Sequence, residues 1–143
     1  MNSWRLFLLK IFGANVSGLP FVHSSARIQI PWHLIMHHRA CLGERSVAYS
    51  LGAIEIREGA TVAQEAYLCT GTHDFSDSSF QLITKKITIE NNAFIGVRAM
   101  IMPGITVGRK AIVGAQSVVT KNVKPNQIVA GNPAREIGLR KSQ

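Results

Sequence analysis

In the second half of the chain an aliphatic residue returns at every sixth position: Ile89, Ile95, Ile101, Val107, Val113 and Val119. Each is followed by a short or polar residue, commonly glycine, as in "IGVRAM", "VGRKAI" and "VGAQSV". A second small residue stands four places after the aliphatic one, as Ala93, Ala99, Ala111 and Ser117, with Ile105 taking that place once. The first half carries the same grid more loosely. Met36, Leu42 and Ala48 are six apart, Ile56, Val62 and Leu68 resume after two extra residues, and Val16, Val22 and Ile28 read as an earlier, degenerate copy. A period of six is neither the 3.6 of a helix nor the plain alternation of an amphipathic strand. It fits a prism of three short strands per coil, each hexad making one side and one corner. The aliphatic residue points inward onto its equivalents in adjacent coils, the small residue lies near the corner, and glycines tolerate the tight backbone there. Such a solenoid buries one continuous column, and each coil contacts only its neighbours.

The grid breaks twice. Leu68 and Ile89 are 21 positions apart, no multiple of six, so a loop over residues 71–86, "GTHDFSDSSFQLITKK", must leave the prism and cross solvent or a neighbouring subunit. Long loops on rigid scaffolds carry function, and Phe75 and Phe80 within this one are expected to meet a partner protomer. The two-residue excess around "AYSLGAIEI" reads as a bulge opposite or beside the loop, either lining a sugar pocket or marking a plain corner. Upstream, Trp4, Phe7, Leu8, Ile11 and Phe12 fall at i, i+3, i+4, i+7 and i+8, one face of a short helix. That helix is expected to pack on the domain and cover one end of its core. Docking to a membrane surface, helped by Arg5 and Lys10, is the rival. The segment has the look of a signal peptide, but Lys10 cuts its apolar run and no A-x-A site follows. The expected organisation is a helix over 1–15, a β-helix over 16–124 with the inserted loop, and a strand, turn and tail over 125–143.

Composition narrows the function classes. The 143 residues make one domain, 46% of them hydrophobic, with no apolar run of about 18 that would span a bilayer. Sixteen Lys and Arg against eight Asp and Glu give a formal charge of +8. The basic residues are scattered, with no basic helix or aromatic-interleaved patch, so nucleic acid is not the expected partner. A nucleotide-containing cofactor or an anionic membrane surface suits the charge equally well. Cys41 and Cys69 form no C-x-x-C pair and read as idle thiols of a reducing cytoplasm. His37 and His38 are adjacent and face opposite ways on an extended segment, and His23 and His33 have no ligand-like spacing with them, so no metal is expected. His73, in "CTGTHDF", differs from the other histidines. It stands where the regular wall gives way to the insertion, in reach of a substrate that the aliphatic column would exclude.

The hexads resemble the [LIV]-[GAED]-x-x-[STAV]-x repeat of the hexapeptide-repeat acyltransferases. The ending "GAQSVVTKNVKPNQIVAGNPAREI" is similar to that of the maltose/galactoside/nodulation-factor O-acetyltransferase branch. "RLFLLKIFGA" and "YLCTGTHD" resemble segments of its colanic-acid-type exopolysaccharide O-acetyltransferases. The resemblance covers nearly the whole chain. It implies an all-β fold, a left-handed parallel β-helix with a short N-terminal helix and one extruded loop. It also implies a homotrimer, with sites in the clefts between chains, that moves an acetyl group from acetyl-CoA to a saccharide hydroxyl without a metal. The basic surface and N-terminal helix suit a cytoplasmic enzyme working close to lipid-linked glycans at the inner face of the membrane. His73 takes the position of the general base, oriented by a backbone carbonyl or by a carboxylate such as Asp74 or Glu65. Val97 stands where a serine is frequent, which leaves its backbone N–H as the oxyanion donor. Gly96, Gly114 and Ala115 line the pantetheine groove, Thr120 and Lys121 lie beside the cofactor, and Arg135 lies near its phosphates. Lys121 and Arg135 read equally as solvated surface charges. Asp74 and Tyr49 are expected on the acceptor side, with Asp74 also a candidate loop brace. The competing class is a non-catalytic β-helix, either an assembly scaffold or a γ-carbonic-anhydrase-like protein.

Overall fold

Residues six apart stack on residues of the next coil, and that stacking makes the three faces of a prism. The computed structural model describes residues 2–141. Face A is built from the parallel strands Asn15–Val16, Leu34–Met36, Ile54–Ile56, Ile87–Ile89 and Thr106–Val107. Face B contains Phe21–Val22, Cys41–Leu42, Thr61–Val62, Phe94–Ile95, Ile112–Val113 and Gln127–Gly131. Face C contains Arg27–Ile28, Val47–Tyr49, Tyr67–Cys69, Met100–Ile101 and Val118–Val119. Each coil runs A to B to C.

The register puts every grid residue on its equivalents. Val16, Met36, Ile56, Ile89 and Val107 form one column. Val22, Leu42, Val62, Ile95, Val113 and Val129 form the second, and Ile28, Ala48, Leu68, Ile101 and Val119 the third. From Met36 to Val113 these side chains are fully buried, each Val, Leu or Ile contributing about 1.5–3 kcal/mol of transfer free energy.

The two-residue excess is a longer side of the prism, not a bulge. Leu34, Ile54 and Ile87 pair in register and form a fourth buried column on face A. Because strand side chains alternate, two added residues place one more side chain inside and return the next to the grid. The perimeter therefore varies: 20 residues separate Val16 from Met36 and Met36 from Ile56, 18 separate Ile89 from Val107, and 16 separate Val107 from its bridge partner Val123.

At the corners the third residue after the inward aliphatic one has positive φ, as at Arg39, Arg45, Glu65, Arg98, Lys110 and Gln116. The small fourth residue closes the turn: Ala40 N–H donates to His37 O at 3.1 Å, and Ala99 N–H to Gly96 O at 3.1 Å. This is type II geometry. Polar residues fill most of the left-handed places that glycine was expected to hold. Gly96 serves a different need, since a Cβ there would lie 2.7 Å from Ala115 N and from Val113 O of the next coil.

Helix α1 (Asn2–Ile11) does cover one end of the core, but with the face opposite to the expected one. Leu6 is buried and Leu9 packs against the core, while Trp4, Phe7, Ile11 and Phe12 face solvent. The reason is the open edge of face B. In the first coil Val22 has no strand before it, so Asn2 Oδ1 accepts its N–H at 3.1 Å and Arg5 Nε donates to its carbonyl at 2.7 Å. An unpaired strand edge needs polar partners, and only the Asn2/Arg5/Leu6/Leu9 side of the helix supplies them. A Schellman cap ends the helix: Gly13 (φ 87) N–H donates to Lys10 O, and Ala14 N–H to Leu9 O.

Candidate active site

The inserted segment is an ordered hairpin. Gly71–His73 pairs antiparallel with Leu82–Thr84, Gly71 opposite Thr84 and His73 opposite Leu82. Its root is fixed by Thr70, which is fully buried. The Thr70 hydroxyl donates to Tyr49 O at 2.7 Å and accepts Gly52 N–H at 2.9 Å, while the Thr70 carbonyl accepts Lys85 N–H at 2.9 Å. One coil earlier Ser50 takes the equivalent place: its hydroxyl donates to Ile30 O and accepts Ile30 N–H, both at 2.9 Å. These hydroxyls satisfy backbone groups that the long face A leaves without ladder partners, as buried polar groups require.

His73 projects from this root into solvent, and its Nδ1 lies 2.6 Å from Phe80 O. A carbonyl only accepts, so Nδ1 carries a proton, and in the neutral ring the lone pair falls on Nε2. Phe80 itself has φ 48, and its N–H donates to Asp77 O at 3.0 Å. A bulky residue in the left-handed region is uncommon; here the tight turn it closes swings its carbonyl onto the imidazole. Among the oxygens considered for orienting His73, the one bonded to it is this backbone carbonyl. Asp74 is turned to its own loop, its Oδ1 accepting the N–H and hydroxyl of Ser76. The Ser76 hydroxyl and N–H hold the Asp74 carboxyl below the usual carboxylate range. Phe75 and Phe80 meet edge-on, with ring centroids 6.3 Å apart, and both stay exposed in the single chain.

Glu65 belongs to a different structure. It bonds Arg98 and Arg45 at the corner between faces B and C, joining three successive coils through three left-handed residues. The Arg98 hydrogen bond, then that of Arg45, lowers its pKa to about 2. On face A, Glu55 makes a parallel stitch to Lys86 at 2.7 Å and to His37 and Arg57 at 3.2 Å. Its pKa also falls to about 2, chiefly through Lys86 and against the opposing effect of burial.

The remaining residues singled out from the sequence fall at two edges of the prism. At the edge between faces C and A lie the His73 hairpin with Asp74, Tyr49 at its root, and, two coils further on, Thr120 and Lys121. The Tyr49 ring lies tilted against Tyr67, centroids 6.0 Å apart, and borders Gly71, where a Cβ would come within 3.4 Å of it. Between these levels the Lys85 side chain crosses Gly104. Lys121 and Arg135 line one cleft of about 190 Å³ at the C-terminal end, with Val119, Gln127 and Val129. Arg135 sits on Ala134–Leu139, which folds back antiparallel on Gln127–Gly131 around the Asn132–Pro133 turn.

Gly96, Val97, Gly114 and Ala115 line the other edge, between faces B and C. Coils approach closely there: Gly96 N–H donates to Val113 O at 2.8 Å and Gln116 N–H to Val97 O at 2.8 Å. Among the described residues no acceptor meets the Val97 or Ala115 N–H, nor those of Glu44 and Gln64 at the equivalent corners of this edge. Within one chain, then, His73 and the Val97 N–H stand on opposite sides of face C. No three His, Cys, Asp or Glu side chains converge as metal ligands among the described residues. Two features were missed in the sequence: the Thr70 and Ser50 hydroxyl ties, for which the two-residue excess was the available signal, and the Phe80 carbonyl, for which there was none.

A family model described as the hexapeptide repeat of succinyl-transferase matches residues 86–121. Parallel coils of this repeat, a histidine hairpin at one edge and whole-chain likeness to acetyltransferases define the class: the chain belongs to the hexapeptide-repeat acyltransferase family. Within it, the chain is 35% identical over 131 residues to a protein of Escherichia coli (strain K12) named as the colanic acid biosynthesis acetyltransferase WcaF. That alignment covers 92% of this chain and 72% of WcaF. A maltose O-acetyltransferase from Clostridium difficile 630 superposes with a TM-score of 0.83 at 25% identity, covering 98% of this chain and 76% of the other. The hexapeptide-repeat acetyltransferase VCA0836 from Vibrio cholerae O1 biovar eltor, solved with acetyl coenzyme A, superposes at 0.91. It covers 99% and 79% of the two chains at 22% identity, a likeness of fold.

Proposed function

We propose that the protein transfers an acetyl group from acetyl-CoA to a saccharide hydroxyl in exopolysaccharide synthesis, with His73 as general base. The observation that carries this reading is the Phe80 carbonyl on His73 Nδ1, which in the neutral ring puts the lone pair on the solvent-facing Nε2. An alcohol is a poor nucleophile at neutral pH, and an imidazole with an ordinary pKa near 6.5 is suited to take its proton. Nε2 removes the hydroxyl proton as the sugar oxygen attacks the thioester carbonyl. The tetrahedral intermediate collapses, the C–S bond breaks, and the thiolate of coenzyme A recovers the proton from the imidazolium. No acyl-enzyme is required.

The oxyanion needs a donor within hydrogen-bond reach of the same carbon. The free Val97 N–H suits that role, yet it lies across face C from His73. Side-by-side packing of three chains, with the hairpin edge of one against the Val97 edge of the next, brings base and donor together. On this reading the active site is completed between subunits, and the exposed Phe75 and Phe80 lie at that junction. The pantetheine arm runs past Gly96, Gly114 and the free Ala115 N–H. It continues across the junction, past Thr120 on the hairpin edge of the neighbouring chain, toward the cleft where that chain's Lys121 and Arg135 offer positive charge to phosphates. Tyr49 supplies an aromatic wall to the acceptor, and the ionised Asp74 an acceptor oxygen for its hydroxyls. A reaction fed by acetyl-CoA belongs in the cytoplasm.

The test is coenzyme A release from acetyl-CoA across a panel of saccharide acceptors. His73→Ala is expected to lower turnover by roughly 10²–10⁴-fold while acetyl-CoA still raises the melting temperature of the variant. Unchanged turnover overturns the assignment of the base. Absence of any acetyl-CoA effect on the wild-type melting temperature favours a non-catalytic scaffold.

A further inference from the structure

We infer that the N-terminal end of the prism is a docking surface for an anionic lipid bilayer. The first observation is the outward stripe on α1. Trp4, Phe7 and Ile11, at i, i+3 and i+7, share one side of the helix, and Phe12 continues it past the last turn. Trp4 and Phe7 stack at 5.6 Å. Leu19 joins Phe7 and Lys10 around one shallow groove, and Trp32 lies against Gly13 at the end of the helix. All six apolar side chains are more than half exposed, from 52% at Phe7 to 72% at Leu19. Scattered exposed apolar residues are ordinary, whereas a cluster at one end of a molecule marks an interaction surface.

The second observation is charge. Residues 1–43 contain Arg5, Lys10, Arg27 and Arg39 and no Asp or Glu; the first carboxylate is Glu44. All eight acidic residues lie from Glu44 onward, where several are tied to basic partners in the Glu55 and Glu65 stitches. The helix and first coil therefore carry Arg5, Lys10 and Arg27 and no acidic residue; Arg5 is turned inward to Val22 O, and Lys10 lies beside the stripe. Aromatic and aliphatic side chains beside unpaired cations are the composition of an interfacial anchor, whose rings enter the headgroup boundary while its cations meet anionic lipid. No helix of the described chain is long and apolar enough to cross a membrane, so the contact is with the surface. The inward face of α1 is already committed to the Val22 edge. The stripe is thus held outward by the fold and needs no rearrangement to engage.

Flotation of the full chain with vesicles tests this directly. Binding is expected to equimolar phosphatidylcholine and phosphatidylglycerol and not to phosphatidylcholine alone, and to weaken as salt rises. Lys10→Glu is expected to reduce partitioning by at least about fivefold, the effect of a single cation near an anionic surface. W4S/F7S is expected to abolish flotation with an unchanged far-UV spectrum and melting temperature, since both side chains are exposed. A Trp32→Phe chain, with Trp4 as its only tryptophan, is expected to show a blue-shifted emission on anionic vesicles. Absence of flotation, equal binding to both vesicle types, or flotation unaffected by W4S/F7S overturns the proposal. So does a fall in oligomeric mass on W4S/F7S without lipid binding, which would assign the stripe to a second copy of the chain. None of these readouts involves acetyl transfer, so the outcome is independent of the role given to His73.

Discussion

Thr70→Val removes one hydroxyl and keeps the shape of the side chain. That hydroxyl makes two hydrogen bonds inside a closed corner, to Tyr49 O at 2.7 Å and from Gly52 N–H at 2.9 Å. With valine in place, the Gly52 N–H loses its partner, at about 1–3 kcal/mol for an orphaned buried group. Tyr49 O keeps only the 3.3 Å bond from the Thr70 N–H, and the lost hydroxyl bond forfeits a further ~0.5–1.5 kcal/mol. A loss of roughly 2–4 kcal/mol follows. For a domain of this size that lowers the melting temperature by roughly 8–14 °C. Thr70→Ser keeps both bonds and gives up one methyl group, at a cost of about 1 kcal/mol, or roughly 3–4 °C. Thermal and urea denaturation of the two variants decide the matter, because valine is the better β-former and better fills the space. A valine variant as stable as the serine variant would refute the claim that the hydroxyl ties the corner. Because the Thr70 carbonyl also holds Lys85 N–H, the valine variant should lose amide-exchange protection first at the hairpin root.

Three further outcomes are expected. Glu55 and Glu65 each fall from 4.5 to about 2 in the folded chain, so they bind protons less readily folded than unfolded. Their contribution to stability is complete above about pH 4.5 and is lost as pH falls toward 2. Acid denaturation followed by circular dichroism should show this loss, and E55Q/E65Q should flatten it. Gly96→Ala forces a Cβ to within 2.7–2.8 Å of backbone atoms of the next coil and should cost about 1–3 kcal/mol in urea titration. Gly138→Ala, with nothing within 4 Å, should change stability by no more than about 0.5 kcal/mol. Phe80→Val places a β-branched residue at φ 48 and should swing the carbonyl off His73, lowering turnover about tenfold or more. Phe80→Gly should retain turnover, and equal activity of the two would show that the turn does not orient the histidine.

The column residues were legible because a buried repeat leaves no freedom. Every grid position from Val16 to Val119 lies in the predicted stack, since a slip of one residue would turn aliphatic side chains to solvent. The class of protein followed from the same repeat together with "YLCTGTHD" and "AGNPAR". Other features escaped for physical reasons. The α1 stripe was read inward because amphipathicity reports where apolar residues lie, not which side of a helix a neighbour requires. At this end of the prism the neighbour is a strand edge that requires polar atoms, so Asn2 and Arg5 decide the orientation. The left-handed corners were assigned to glycine, yet arginine, lysine, glutamine and glutamate hold most of them, because a closed turn and ion pairs such as Arg45–Glu65–Arg98 offset the cost. The pairing of His73 with Phe80 joins positions seven apart across a turn, and no periodicity records it.

The shrinking perimeter has a consequence for how such a chain changes length. Repeat proteins grow by copying a unit, which presumes that units are interchangeable. Here they are graded: the wide early coils carry the extra Leu34, Ile54 and Ile87 column, the later ones do not, and the last is shorter still. A duplicated 18-residue segment starting at Ile89 would fit between the fourth and fifth coils and nowhere nearer the N-terminus. Placed among the first three coils, it would strand Leu34 or Ile54 against a missing partner. The molecule tapers like a keyed stack, so a copied segment fits only beside a coil whose circumference matches its own.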